Sequence, residues 1–209
     1  MKILNIVGAG SFGREIFSWM NTCEYIKGFD EIRFIDDNLN SFNSFEYLPK
    51  VYCTINEFFP EKNETCILSI ANPRKKREVV NLLKSRGASF SSFIHPSVIV
   101  GSNTVIGEGV ILCPNVVVSC DVTVRDFVFL NIGAVIGHDA YLGCYTTLSP
   151  NSVIMGFATL GEGVFIGSNA AVLPKVLIED FATVGVSTAA LRKVESGKTI
   201  LGVPGKIIG

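Results

Sequence analysis

The chain predicts a two-part protein: a small α/β Rossmann-like N-terminal domain, then a parallel β-helix built from hexapeptide repeats. Three observations predict it. From Val100 to Ala190 a buried-type residue recurs at every sixth position without a slip, and fifteen of those sixteen residues are Val, Ile or Leu. Ahead of that run, short apolar segments alternate with helical patterns. Between the first of these segments and the first helical pattern stands Gly8-Ala9-Gly10-Ser11-Phe12-Gly13. A period of six fits neither an α-helix nor an ordinary sheet broken by irregular loops. It marks a solenoid in which three six-residue sides close one coil.

In the first part, residues 3–7 form an apolar strand and 11–20 a helix. A second strand at 32–35 is closed by Asp36-Asp37, and the polar stretch 38–49 reads as a loop. Residues 57–59 read as a short helix and 66–70 as a third strand. Residues 73–86 form a basic amphipathic helix with Val79, Val80, Leu82 and Leu83 as its apolar face, ending at Gly87. This order is a βαβαβ unit with parallel strands.

The repeats begin near Pro96 and run without insertion to about residue 193, so the domain limits are 1–93, 94–193 and a tail at 194–209. No inserted loop is left to form a lid. Two positions before each large aliphatic residue stands a small or β-branched one, such as Val98, Thr104, Val110, Ala134, Ala140, Ser152, Ala158, Ala170 or Ala182. A narrow interior requires that pairing. Glycine often follows the large residue (Gly101, Gly107, Gly137, Gly143, Gly161, Gly167, Gly185), where a tight corner needs positive φ or close backbone approach. With eighteen residues per coil, residues n and n+18 stack about 4.8 Å apart. One column is then Cys120, His138, Gly156, Pro174. A second is Pro150, Ser168, Val186, and a third is Asn131, Ser149, Gly167, Gly185.

Bulk composition narrows the function. The 209 residues are 48% apolar and only 18% charged, with net charge −1, which excludes a disordered chain and a generally polyanion-binding surface. No signal peptide and no apolar run long enough to span a bilayer is present, which predicts a cytoplasmic protein. Six cysteines form no C-x-x-C pair and no zinc spacing, so no metal is expected. They read as small buried hydrophobes, with a reactive thiol as the alternative.

The Gly-rich loop, Phe34-Ile35-Asp36-Asp37, Ile94-His95-Pro96, the segment Asn131-Ile132-Gly133-Ala134-Val135-Ile136-Gly137-His138-Asp139, Leu148-Ser149-Pro150 and Gly202-Val203-Pro204 span nearly the whole chain. Together they resemble the left-handed β-helix acyltransferases. More narrowly, they resemble the bacterial sugar O-/N-acyltransferase family that includes sialic acid O-acetyltransferases and N-acetyltransferases of UDP- or dTDP-linked 4-amino-sugars. The left-handed sense comes from this resemblance alone, since parallel crossovers are normally right-handed.

The resemblance implies acetyl transfer from acetyl-CoA to a sugar amine or hydroxyl, with His138 as general base and Asp139 as its carboxylate partner. An ammonium has no lone pair, so attack on a thioester requires loss of a proton, and a neutral imidazole suits that task. A carboxylate beside an imidazole strengthens it as a base. Asp139 is also a common type of corner residue, and whether it reaches His138 depends on the turn. Gly156, one coil beyond His138, leaves an opening and offers an N–H to a thioester oxyanion, or else simply serves the turn. Asn131 is a candidate for holding the amine or the base, or a stacked corner amide. Thr147 stands where relatives carry a second histidine, which favours a one-base mechanism. Acetyl-CoA is expected along Thr147, Gly156, Ser168 and Val186 in a groove between subunits of a homotrimer; the alternative for Ser168 and Val186 is a solvent-facing corner.

The Gly-x-Gly-x-x-Gly loop alone would point to a dinucleotide. About 90 residues give only half a dinucleotide fold, so the expected ligand is one nucleotide, linked to the sugar. By resemblance it meets Gly10, Ser11, Phe12, Asp36, Asp37 and Ala71. The run Arg74-Lys75-Lys76-Arg77 either offers a residue to the diphosphate or forms a solvated helix face. His95 reads as a junction residue. The expected activity is N-acetylation of a dTDP- or UDP-linked 4-amino-4,6-dideoxysugar for surface glycan synthesis. The alternatives are sialic-acid-type O-acetylation and a non-catalytic nucleotide-binding scaffold.

Overall fold

A computed structural model describes residues 1–208. Its contacts divide the chain into two units, one of Met1–Ala71 with Lys75–Phe93, the other of Asn72–Arg74 with the chain from Ile94 on.

The first unit is a parallel four-stranded sheet. Its strands β1 (Ile3–Val7), β2 (Glu31–Ile35), β3 (Val51–Cys53) and β4 (Glu64–Leu68) lie in the order β3-β2-β1-β4. Helices α1 (Ser11–Thr22) and α2 (Pro73–Ser85) complete it. All five residues of the central strand β1 are buried, as expected where a parallel strand is covered on both faces. Strand β3 lies just past the stretch read as loop. It is three residues long, too short for its alternation to register. The short helix expected at 57–59 is absent. Residues 55–57 form a turn, closed by Thr54 Oγ1 donating to Glu57 at 2.7 Å, and Pro60 disfavours helical geometry at Phe59 before it. On α2 the buried stripe is Lys76, Val79, Val80 and Leu83, while Leu82 is only partly covered. These four stand at i, i+3, i+4 and i+7, so helical spacing carries a lysine inside with the aliphatics. Burial drives the Lys76 ammonium well below its ordinary range.

The second unit is a three-sided prism of two-residue strands. Its first face runs from Phe93–Ile94 through Phe129–Leu130 and Thr147–Leu148 to Thr183–Val184. The second runs from Ile99–Val100 through Val135–Ile136 to Ala189–Ala190. The third runs from Val105–Ile106 through Tyr141–Leu142 to Leu177–Ile178. Pairing is parallel with a step of one coil, as in Val135 with Val153 and Tyr141 with Thr159. The sixfold aliphatic series fills the axis: Leu112, Val118, Val124, Leu130, Ile136, Leu142 and Leu148 are fully buried against Val110, Ala134 and Ala158. Each such Leu or Ile contributes about 1.5–3 kcal/mol over remaining exposed. Val100 in the open first coil is 41% exposed, having no coil beneath it.

The corners decide between the two demands expected of these glycines. The left-handed residue is three positions after the aliphatic one, in an unbroken sixfold series that includes Asn103, Asp121, Gly133, Asp139, Phe157, Lys175 and Ser187. The glycines directly after the aliphatics have ordinary φ and serve close approach instead. A Cβ on Gly137 would lie 2.7 Å from the Gly156 nitrogen, and one on Gly167 2.6 Å from the Val186 nitrogen. The tail does not leave the solenoid either. Thr199–Leu201 continues the first face beside Thr183–Val184, and Lys206–Ile208 returns antiparallel to it.

Candidate active site

The three corners of the solenoid divide the expected residues. The first corner follows the first face and carries Asn131, Ser168 and Val186. The second follows the second face and carries His138, Asp139 and Gly156.

At the second corner, Asp139 has φ +59, a left-handed conformation that Asp tolerates better than most residues. Its carboxylate oxygen Oδ2 lies 2.8 Å from His138 Nδ1. The bond assigns the proton to Nδ1, so the lone pair of the neutral ring is on Nε2. Both side chains are exposed, 56% and 41%. Gly156 stacks over the ring as the count of eighteen requires: a Cβ there would lie 2.7 Å from both Cε1 and Nε2. Its φ is ordinary, so clearance for the imidazole, not the turn, explains the glycine. Among the described residues its N–H donates to no backbone carbonyl. Phe157, which sequence reasoning missed, meets the imidazole edge-on, with ring centroids 5.2 Å apart. Its N–H donates to the His138 carbonyl at 2.9 Å. The signal was there, because Phe157 is one coil beyond Asp139.

The first corner is a separate place. Ser187 N–H donates to the Ser168 carbonyl at 2.8 Å, fixing Ser168 and Val186 in one stacked corner. Val186 is 60% exposed. Asn131 is not brought to His138; its side-chain oxygen accepts from Ile132 N–H at 2.7 Å and closes its own turn. Thr147 corrects its expected role as a cosubstrate contact. It points outward from the first face but is only 2% exposed, as are its neighbours Ile111 and Phe129 to within a few per cent.

In the N-terminal unit the three motif glycines separate by cause. Gly8 has φ +110 and ends β1 in a turn only glycine adopts freely. A Cβ on Gly13 would strike the Gly8 carbonyl oxygen. Gly10, the N-cap of α1, has φ −80 and nothing within 4 Å of where a Cβ would be. No packing demand explains it. Gly10 and the exposed Ser11 line a cavity of about 320 Å³ with Arg14, Asn38, Ser41 and Phe45. The Arg14 guanidinium lies 4.3 Å from the centre of the Phe45 ring. Arg14 directly follows Gly13, and the sequence reading passed over it.

Phe12, Asp37 and Ala71 do not line this cavity. Asp36 Oδ2 accepts from Ala9 N–H at 2.7 Å and Oδ1 from Asn38 N–H at 2.8 Å, so it braces the loop. Asp37 accepts from Ile55 N–H at 3.1 Å. Of the basic run, Lys76 is buried and Lys75 pairs with Glu78 at 3.3 Å. His95 Nδ1 is 2.7 Å from Ser97 Oγ, at the start of the solenoid. All six cysteines are free, and burial pushes the Cys66 thiol up to about 12. No helix among the described residues is long and apolar enough to cross a membrane.

A hexapeptide solenoid with an exposed His–Asp pair at one corner, joined to a Gly-loop α/β unit, defines the left-handed β-helix acyltransferases. Comparison with known proteins narrows this. Residues 3–83 match the PglD N-terminal domain family. GDP-perosamine N-acetyltransferase of Escherichia coli O157:H7 is 31% identical over 163 residues, covering 75% of this chain and 72% of that protein. PerB of Caulobacter crescentus, solved in complex with CoA and GDP-perosamine, is 26% identical, with a TM-score of 0.87 over 100% of this chain and 98% of that one. WeeI of Acinetobacter baumannii AYE is 24% identical with a TM-score of 0.90 over 100% of both chains, a likeness of fold. The chain belongs to the same family as the Escherichia coli N-acetyltransferase, and it is an acyltransferase.

Proposed function

We propose that the protein transfers the acetyl group of acetyl-CoA to the amine of a nucleotide-linked 4-amino-4,6-dideoxysugar, for surface glycan synthesis in the cytoplasm. The observation that carries the reading is the His138–Asp139 pair at 2.8 Å with Nε2 facing the clearance left by Gly156. The neutral amine attacks the thioester carbon. As the C–N bond forms, Nε2 takes the amine proton, and Asp139 holds the resulting imidazolium. Gly156 N–H lies beside the developing oxyanion. When the C–S bond breaks, the imidazolium returns its proton to the CoA sulfur. No acyl-enzyme is needed.

The nucleotide is GDP ahead of the dTDP or UDP that the resemblance implies, because the relative at 31% identity is a GDP-perosamine enzyme. Gly10, Ser11 and Arg14 would take its diphosphate at the start of α1, where backbone N–H groups favour anions. Ser168 and Val186 would flank the pantetheine. Arg192 stands three coils beyond His138 in the same column, about 14 Å along the axis. It borders a cavity of about 300 Å³ with Lys193 and Lys206, suited to the CoA phosphates.

His138 and the Ser168–Val186 column occupy different corners of one chain, so one site needs two copies. The second face between those corners presents Ile99, Val117, Val135, Val153, Ala171 and Ala189 outward, all apolar, with Ile99 63% and Val135 38% exposed. Turning that face to a threefold axis buries it and sets the first corner of one copy against the second corner of the next.

CoA release tests the reading, with GDP-, dTDP- and UDP-linked 4-amino-sugars and free sialic acid as acceptors. Release with a nucleotide amino-sugar, lost in His138→Ala, supports it. Release only with sialic acid, or an undiminished rate in His138→Ala, overturns it.

A further inference from the structure

The corner below His138 holds acidic chemistry that the reaction above does not use. Asn103, Asp121 and Asp139 occupy the same left-handed corner position in three successive coils, with φ of 56, 58 and 59. Asn103 Nδ2 donates to Asp121 Oδ1 at 2.7 Å, one coil apart. Asp139 N–H donates to the Cys120 carbonyl at 3.2 Å, which seats the His138 turn directly on the Cys120–Asp121 turn. Two carboxylate residues thus stand on stacked turns about 4.8 Å apart, one of which carries the imidazole. Like charges so close repel unless a cation stands with them.

We propose that Asp121 is a positioning residue for the base: a second carboxylate, held in place by Asn103, that acts through the His138–Asp139 pair to stabilise the imidazolium formed during acetyl transfer. The catalytic part rests on His138 being the base; the electrostatic part does not. The Asp121 carboxyl is held below the ordinary carboxylate range by the Asn103 amide first, then the Cys120 thiol, with the charge of His138 adding to them. The other groups facing His138 are Asp139 on its own turn, Cys120 below, and Phe157 above, with Lys175 Nζ 5.9 Å from the Phe157 ring centre. Lys175 stands one coil beyond Phe157, and Arg192 one coil beyond Pro174.

An ordinary corner role would also explain Asp121, because Asn and Asp suit left-handed turns. The experiment must separate the two. His95 and His138 are the only histidines, so a His95→Gln background leaves one imidazole to follow by NMR across pH. Asp121→Asn should lower the His138 titration midpoint by about half a pH unit, the size expected for one exposed charge a coil away. Asn103→Ala should shift it less, in the same direction, and Asp121→Glu should largely retain the parent value. Asp121→Ser, another short polar corner residue, serves if the Asn variant does not fold. An unchanged midpoint in folded Asp121→Asn or Asp121→Ser overturns the proposal and leaves Asp121 a corner residue. The acid limb of kcat/KM should move with the midpoint. A moved midpoint with a fixed limb upholds the second carboxylate and overturns His138 as the base.

Discussion

The solenoid and the N-terminal sheet place their glycines by different rules. In the solenoid the neighbouring coil decides what a position tolerates. Gly156 is required because His138 lies one coil below it, and Gly137 because Gly156 lies one coil above. In the N-terminal unit no such ruler exists. Gly8 answers to its own φ, Gly13 to the carbonyl of Gly8, and Gly10 to nothing in the protein. A repeat converts sequence position into spatial contact, whereas a βα turn has to be seen before its glycines can be sorted.

The largest break in this comparison is at the base. His138→Ala should lower kcat by about 10³-fold with little change in Tm, since the side chain is exposed. Gly156→Val should lose activity by about 10²-fold by displacing the imidazole, a loss without a folding defect that steady-state kinetics and thermal melts together would reveal. In the N-terminal unit the contrast is Gly13→Val against Gly10→Val. The first should cost about 1–3 kcal/mol in urea unfolding through its collision with the Gly8 carbonyl. The second should leave the urea midpoint in place and raise the acceptor KM about tenfold. If both variants behave alike, the sorting of these glycines is wrong.

A pH-dependent effect concerns Lys76. Its folded-state pKa is depressed, so between that value and about pH 10.4 the unfolded chain binds more protons than the folded one. Stability should therefore rise with pH across that window. Lys76→Met should flatten the rise as pH approaches about 10.4 from below, read as urea midpoints. An identical slope in the variant would show that Lys76 is not its source.

What was legible in the sequence follows the same division. The hexapeptide count placed Gly156 on His138 and put Ser168 with Val186, because a fixed coil length leaves no freedom in stacking. It could not give the reach of Asp139, which depends on a left-handed φ three residues after the buried one. It also did not show Thr147 to be buried, because the period says which residues face outward and not how exposed they are. In the N-terminal unit the loop and α1 were legible, but not that both Asp36 oxygens hold backbone N–H groups. Arg14 was passed over because one arginine in a helical pattern looks like surface, and Lys76 because lysines in a basic run read as solvated.

The central claim is that one site is built from the second corner of one copy and the first corner of the next. Mixing two inactive variants tests it most directly. His138→Ala lacks the base, and Val186→Trp fills the exposed first corner. Unfolded together and refolded at equal amounts, they should recover about a quarter of wild-type CoA release, the share of sites that draw an intact corner from each variant. Activity no higher than either variant alone would place base and cosubstrate within one chain and contradict the account.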